Sequence, residues 1–364
     1  MKIVQLITEL RPAGAERIVL ELAAGLKRRG HEVAVVSLRP LPSAPAESGI
    51  VERLRALAIP VRSLGVTRSA PWRAVWLRRE LRGLAPDVVH AHLFHANLVS
   101  RLFRPPRPCR LVNTVHIAER RRGRFWQFWL DRLSLRRCDV QTAVSRAVAA
   151  YHARRLGVAA GRLPVVYNGI PPPPPLSRDE TCGLRKAWRF EAAARVIGSV
   201  GRLDWQKGYD RLIALLPALS QRIPPGETWG VVILGEGPQR ECLEPLAAAA
   251  PRNLLVRLPG FRPDAAACIG AFDLFVMPSR YEGFGLTLAE AMAHGVPAVT
   301  SLADSLPELL EAYPNGEAVP CDPARPEPFV EACLRGLARG PCPGVTPFDL
   351  DAMLDGYERV YAGR

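Results

Sequence analysis

Two carboxylates eight residues apart, Glu282 and Glu290, stand in "PSRYEGFGLTLAEAMAHGVPAVT" (278–300). The first lies in a glycine-flanked loop and the second inside the helical stretch that follows. Earlier, "SVGRLDWQKGYD" carries Arg202 and Lys207 beside Gly201 and Gly208. Two cations and permissive backbone at a strand-to-helix turn suit a polyphosphate, because glycine allows close approach and a helix start adds partial positive charge. Alone, the two cations read as solvated residues on a surface loop. The 278–300 stretch changes that reading. Backbone N–H groups of Gly283, Phe284, Gly285 and Leu286 are expected to point out of the helix start toward an anion, with Thr287 in the first turn and Gly295 as the C-terminal cap. Glu282 is not there for a phosphate, since like charges repel. It is placed to accept hydrogen bonds from neutral hydroxyls, and Glu290 to take a vicinal diol such as a ribose. The set suits a nucleotide-diphosphate sugar.

The elements that must position these residues alternate along the chain. "KIVQLIT", "HEVAVVSL", "PDVVHAH", "RLVNTVH", "DVQTAVS" and "LPVVYNG" read as strands, with the helix "AERIVLELAAGLKRRG" after the first of them and further helical stretches between the later ones. Short apolar runs separated by helices mean βαβ units and a parallel sheet. Five prolines at 171–175 exclude helix and central strand and predict a stiff hinge. The pattern then restarts with "RVIGSVGRL", "GVVILGEG", "NLLVRLPGF", "FDLFVMPS" and "PAVTS", and ends on a helix in "TPFDLDAMLDGYERVYAGR". The expected class is α/β, with two Rossmann-like doubly wound domains facing a central cleft. The boundaries are 1–170 (acceptor-binding), 171–176 (hinge), 177–345 (nucleotide-sugar-binding) and 346–364, a helix packing back toward the first domain.

Composition excludes some classes. With 364 residues, 48% hydrophobic and 23% charged, the chain is long enough for two globular cores. No apolar run reaches the ~18 residues of a membrane span, and Glu9 and Arg11 interrupt any leader-like start, so a cytoplasmic place is expected. The 8 cysteines form no C-x-x-C pair and read as free thiols rather than a metal site or disulfide framework. Residues 1–170 hold 30 Lys+Arg against 11 Asp+Glu, a net of +19, and residues 171–364 hold 19 against 24, a net of −5. The first half is therefore expected to meet something anionic, with a membrane face or anionic acceptor favoured over nucleic acid.

The motifs resemble, in order, those of the retaining glycosyltransferases of family 4, which have the GT-B fold: "PAGAER", "GHEV", "VNTVH", "VYNGI", "GRLDWQKG", "LGEGP", "LPGF" and the Glu282–Glu290 pair. They run through nearly the whole chain. The resemblance implies that Arg202 and Lys207 hold the donor diphosphate and stabilise the leaving group. It implies that Glu282 meets the sugar hydroxyls, Glu290 the ribose, and the backbone at 283–286 the phosphate and sugar. Gly14 would approach the diphosphate. His116 would sit near the transferred sugar, and the base would lie near Gly235, Gly237, Phe261 and Arg262. It implies no metal or other cofactor, a UDP- or GDP-sugar donor, and a lipid-linked glycan, lipopolysaccharide or other cell-envelope acceptor at the inner membrane face. Two departures stand out: Ala13 replaces a glycine of the first loop, and "SLADSLPELL" keeps Pro307 and Glu308 without the usual preceding glycines. A nucleotide-sugar 2-epimerase of the same architecture and a non-catalytic nucleotide-sugar binder are the alternatives.

Two further stretches have competing readings. In "RRRGRFWQFWLDRLSLRR" (120–137), Trp126, Trp129, Leu130 and Leu133 share one helical stripe flanked by Phe125 and Phe128. A doubly wound helix needs an apolar side, so the stripe is expected to pack on the sheet with the arginines solvated. The other reading is an interfacial helix resting on anionic lipid. In "VVHAHLFHAN", His90, His92 and His95 lack an accompanying carboxylate. They read as lining of the acceptor cleft or as satisfied core histidines rather than metal ligands.

Overall fold

The computed structural model describes residues 1–363 except 107, 122 and 124; the side chains of 45, 46 and 160 also lie outside it. The chain forms two units, Met1–Pro171 with Phe348–Arg364, and Pro172–Pro347. The first contains β1 (Lys2–Ile7), β2 (Glu32–Ser37), β3 (Val61–Ser63), β4 (Val88–His92), β5 (Arg110–Val115) and β6 (Val140–Ala143). The second contains β7 (Arg195–Val200), β8 (Trp229–Leu234), β9 (Leu254–Gly260), β10 (Leu274–Met277), β11 (Ala298–Thr300) and β12 (Gly316–Ala318). The sheet orders are β3-β2-β1-β4-β5-β6 and β12-β11-β10-β7-β8-β9. Counted within each unit, both are 3-2-1-4-5-6, with every ladder parallel. That order reverses direction between the first and fourth strands, where an open α/β sheet leaves a crevice beyond its carboxyl ends.

The strands are mostly apolar because parallel strands are covered by helices on both faces, and the polar residues they do carry, such as Gln5, His90, Asn113 and Thr142, are buried with them. Leu6, Val36, Val89 and Leu111 meet Leu77 and Leu81 in the first core, and Ile197, Leu216, Val231, Val276 and Phe329 meet in the second. The edge strands β3 and β12 have only 3 residues each and no apolar run, so no periodicity announces them. "LPVVYNG", expected as a strand, makes only an isolated bridge between Val165 and Ala143. Pro164 lacks a ladder donor, although its carbonyl accepts from Ala143 N at 3.0 Å. The proline run at 171–175 has no helix or strand.

The last helix, Leu350–Ala362, belongs to the first unit and is capped by Asp349, whose side chain accepts from Ala352 N. It lies against helix Gly14–Arg28 so closely that a Cβ on Gly25 would stand 2.6 Å from Leu354 Cδ1. Arg29 ties the pair together by donating to Asp351, Asp355 and Glu358 at 2.6–2.8 Å. Those bonds raise the Arg29 pKa, that to Asp351 most. Tyr357 and Tyr361, on the inward face of this helix, are buried over β4 and β5.

Candidate functional site

In the second unit, the chain leaves β7 at Val200 and makes a short turn, Trp205–Lys207, begun by the Asp204 side chain accepting from Gln206 N and ended at Gly208. Gly208 has φ +68°, and a Cβ there would strike the Pro278 carbonyl. Only glycine lets this turn close against the end of β10. Arg280 holds the two loops together. It donates bidentately to Asp210 at 2.6 and 2.8 Å, donates to Trp205 O, and lies 4.8 Å over the Trp205 ring. The Arg280 guanidinium holds the Asp210 carboxyl below its ordinary range.

Lys207 is thereby delivered to Glu282. Its Nζ donates to Glu282 Oε1 at 2.7 Å, and Ser279 Oγ donates to the same oxygen at 2.7 Å. The Glu282 amide donates to Asp304 Oδ2 at 3.0 Å. Glu282 Oε1 is thus already engaged, a pairing that the sequence spacing did not show. At 4% exposed it is the partner that aims the lysine, and it needs that partner because burying an unpaired carboxylate is costly. Arg202 is different in kind: it is exposed, and its guanidinium has no hydrogen bond or ion pair among the described residues, although its carbonyl accepts from Asp204 N at 2.8 Å. The two cations predicted as equals are one paired and one exposed.

Helix Leu286–Ala293 begins after Gly285, whose φ of +94° supplies the left-handed turn at its start, and ends before Gly295. Gly283 and Phe284 are buried, and Thr287 Oγ1 is buried without a hydrogen-bond partner. Glu290 is only 2% exposed, so a diol reaches it only by entering the interior. Side chains on Gly235 or Gly237 would collide with the backbone of Gly201 and Leu203, so these glycines let the loop after β8 nest against the loop after β7. Phe261 is half exposed, and Arg262 is paired with Asp264 at 2.7 Å. Sequence reading missed Ser279, Arg280, Asp210 and Asp304. Asp304 had the best signal: it stands where glycines are usual, and its φ of +42° is a left-handed conformation that aspartate tolerates.

In the first unit, His116 follows β5 and partly faces a cleft of about 280 Å³ that Thr8, His95, Glu119, Asp131 and His152 also line. His116 Nε2 lies 3.0 Å from His92 Nδ1, and His92 Nε2 lies 2.8 Å from Gln5 Oε1. His90 and His92 are satisfied core histidines, while His95 reaches the cleft. Burial lowers the pKa of all three rings of the His90–His92–His116 cluster, that of His116 to about 4. Gly14 is exposed and starts its helix, with no side-chain cap from Ala13. Among the described residues, no three His, Cys, Asp or Glu side chains are grouped to hold a metal ion.

The aromatic helix overturns the expectation that its stripe packs on the sheet. Trp126, Trp129 and Leu133 are 53, 63 and 60% exposed, and the inward face is Gln127, Phe128, Asp131 and Ser134. The cause is Arg101, a fully buried side chain that donates to Asn113, Asp131 and Ser134 at 2.6–3.1 Å. A buried guanidinium requires those partners, so the polar side of the helix turns inward. Arg122 and Arg124, part of the same basic run, lie outside the described residues.

The two units also match two family models in succession. Residues 12–172 match Glycosyltransferase Family 4, and residues 194–339 match Glycosyl transferases group 1. The chain belongs to the family 4 glycosyltransferases. It is 29% identical over 317 residues to an uncharacterised glycosyltransferase of Methanocaldococcus jannaschii, covering 81% of this chain and 78% of that one. It is 35% identical over 204 residues to the lipopolysaccharide core biosynthesis mannosyltransferase LpsB of Rhizobium meliloti, covering 53% of this chain and 52% of that one. The structure of Anabaena HepE in complex with UDP matches with a TM-score of 0.74 at 21% identity, over 100% of both chains. The chain is thus a transferase with the GT-B fold. Among its described residues no helix is long and apolar enough to cross a membrane.

Proposed function

We propose that this glycosyltransferase moves a sugar, with retention, from a nucleotide-diphosphate sugar (UDP- or GDP-linked) to a hydroxyl of a lipid-linked glycan, lipopolysaccharide or related cell-envelope acceptor. The observation that carries the donor reading is the Lys207–Glu282–Ser279 cluster at the switch point between β7 and β10, with exposed Arg202 beside it. Lys207 and Arg202 take the diphosphate, and the helix start at 283–286, with Thr287, completes the cradle. Glu282 keeps Lys207 in place and offers its second oxygen to a sugar hydroxyl. Glu290 takes the ribose, and Gly235, Gly237, Phe261 and Arg262 surround the base. His116 and Gly14, from the first unit, are assigned to the transferred sugar and the diphosphate.

In the reaction the acceptor oxygen attacks the anomeric carbon on the face the diphosphate leaves. The bond to the diphosphate oxygen breaks and that oxygen receives the acceptor proton. Negative charge builds on the leaving oxygen, and cations fixed in advance lower the barrier there without a metal or other cofactor. A thermal-shift panel of nucleotide sugars tests the reading: a nucleoside diphosphate and its sugar raise the melting temperature, and release of free nucleoside diphosphate marks turnover. Binding without release under any acceptor leaves a non-catalytic binder, and no binding at all removes the function.

The exposed stripe favours a peripheral place on an anionic membrane face. Trp126 and Trp129 stand outward next to exposed Arg132, Arg136 and Arg137. Aromatic rings enter the headgroup layer while guanidinium groups meet lipid phosphates. That is where a lipid-linked acceptor is found.

A further inference from the structure

We propose that a one-way chain of hydrogen bonds, running through Tyr361 of the last helix, fixes His116 as the tautomer with its proton on Nε2 and a lone pair on Nδ1. The group received at His116 is then a donating hydroxyl, and Gln5, His92 and Tyr361 are positioning residues for it. This rests on the sugar-transfer reading for the identity of the hydroxyl and on geometry alone for the tautomer.

The direction is set at the far end. Thr142 Oγ1 donates to the Asn113 carbonyl at 3.3 Å, which uses its one proton. With the Thr142 proton on that carbonyl, Thr114 Oγ1 donates to Thr142 Oγ1 at 2.7 Å, and its lone pairs are left for the Tyr357 hydroxyl at 3.3 Å and for His90. With the Thr114 proton committed, His90 Nε2 at 2.6 Å has to donate to it. His90 is neutral, so its Nδ1 is bare and accepts from the Tyr361 hydroxyl at 2.7 Å. The Tyr361 proton is spent there, and Gln5 Nε2 donates to Tyr361 Oη at 3.3 Å. That orientation turns Gln5 Oε1 to His92 Nε2, 2.8 Å away, so His92 carries its proton on Nε2 and presents Nδ1 to His116. His116 Nε2 therefore donates across 3.0 Å. Each hydroxyl and each neutral imidazole has one donor, so reversing a single bond sets two lone pairs or two protons face to face.

The remaining nitrogen of His116, Nδ1, has no recorded partner, and the ring borders the cleft. A lone pair there repels a phosphate or carbonyl oxygen and accepts from a hydroxyl. The His90 and His92 rings stand 4.0 Å apart and those of His92 and His116 5.2 Å apart, in a site too dry for an imidazolium. The chain that sets the tautomer is anchored at Thr142 and passes through Tyr361, a residue of the last helix, before it reaches His116.

The test is ring-nitrogen NMR of the full-length protein labelled with 15N-histidine, His116 being assigned by its loss in His116→Gln. The expected wild-type spectrum shows His116 protonated on Nε2. Tyr361→Phe removes the central hydroxyl and Thr142→Val removes the anchor. In either folded variant His92 and His116 become tautomer mixtures, and kcat/KM falls about tenfold, the scale of one lost hydrogen bond. Protonation of wild-type His116 on Nδ1 overturns the proposal. So does a lower melting temperature with an unchanged His116 spectrum in both variants, which is what a merely structural role gives. Loss of donor binding or transfer in a wild-type protein whose tautomer is as stated overturns the sugar-transfer reading instead.

Discussion

Within β1 and β4 and just past β5, in the first unit, the chain gathers neutral imidazoles and a glutamine around His116. At the carboxyl ends of β7 and β10, in the second, it places a lysine, a buried carboxylate and an exposed arginine. The strand order is the same, so topology chooses the place and not the chemistry. The first unit bears the larger positive charge, yet in its cleft Arg39 is paired with Glu9 at 2.9 Å and the other charged lining residues, Glu119 and Asp131, are acidic. Net charge by domain therefore pointed to a surface and not to a site. The second unit has nearly balanced charge, and its cations count because Arg280 and Glu282 fix one of them.

The largest test of this contrast is Lys207→Ala. Transfer is expected to fall about 10²- to 10³-fold, the scale of removing one preset group from a developing oxyanion. The second unit should also lose about 3 kcal/mol, the low end for a broken buried pair, because the Lys207 side chain is 19% exposed. Lys207→Met combined with Glu282→Gln should recover most of the melting temperature and none of the turnover. Recovery of turnover would remove the catalytic role and leave only a structural ion pair. Arg202→Ala should cost turnover about tenfold with an unchanged melting temperature, since an exposed arginine with no recorded partner supports nothing in the resting fold. Equal effects on stability from both substitutions would erase the distinction between paired and exposed cation.

Acid provides a smaller and reciprocal test. Burial holds His90, His92, His116 and His152 below the ordinary histidine range. In the unfolded chain each takes up a proton near pH 6.5, while folded His116 resists to about 4. Their contribution is thus complete above pH 6.5 and is lost as pH falls toward 4. Glu16 runs the other way: burial pushes its carboxyl up to about 7, so it binds a proton in the folded state first and adds stability as pH falls from 7 toward 4.5. The four histidines oppose Glu16 and Asp131, whose carboxyls burial raises, and the second unit has a single histidine so shifted, His294. Between pH 7.5 and 5.5, hydrogen-exchange protection factors in β4 and β5 should fall more than those in β7 and β10. The reverse order would show that the neutral histidines are not what distinguishes the first unit.

What the sequence revealed follows the same division. Continuous apolar runs such as "LFVM" and "GVVIL" became central strands because burial on both faces leaves the chain no other use for them. The three-residue edges β3 and β12 carry no such run, and "LPVVYNG" was stopped by the missing amide of Pro164. Lys207 and Glu282 were recognisable from residue type and flanking glycines. That they bond to each other was not, because 75 residues separate them and only the β7–β10 neighbourhood brings them together. The helix of 126–134 was misjudged because periodicity shows which residues share a face but not which face turns inward. The buried Arg101 decided that, through Asp131 and Ser134.

That inversion yields the prediction with the least effect on the fold. Trp126 and Trp129 together replaced by Ser should leave the melting temperature nearly unchanged, because both side chains are more than half exposed and exposed substitutions rarely exceed about 0.5 kcal/mol. Co-sedimentation with vesicles containing an anionic lipid should fall strongly, and wild-type binding should weaken as salt is raised, because the arginines act through a screened field. Asp131→Ala is the internal counterpart. It removes a partner of the buried Arg101 guanidinium, lowers the melting temperature, and bears on lipid only through the helix it holds. If the tryptophan pair proves more destabilising than Asp131→Ala, the helix buries its aromatic face after all. In that case the exposed stripe cannot serve as a membrane surface.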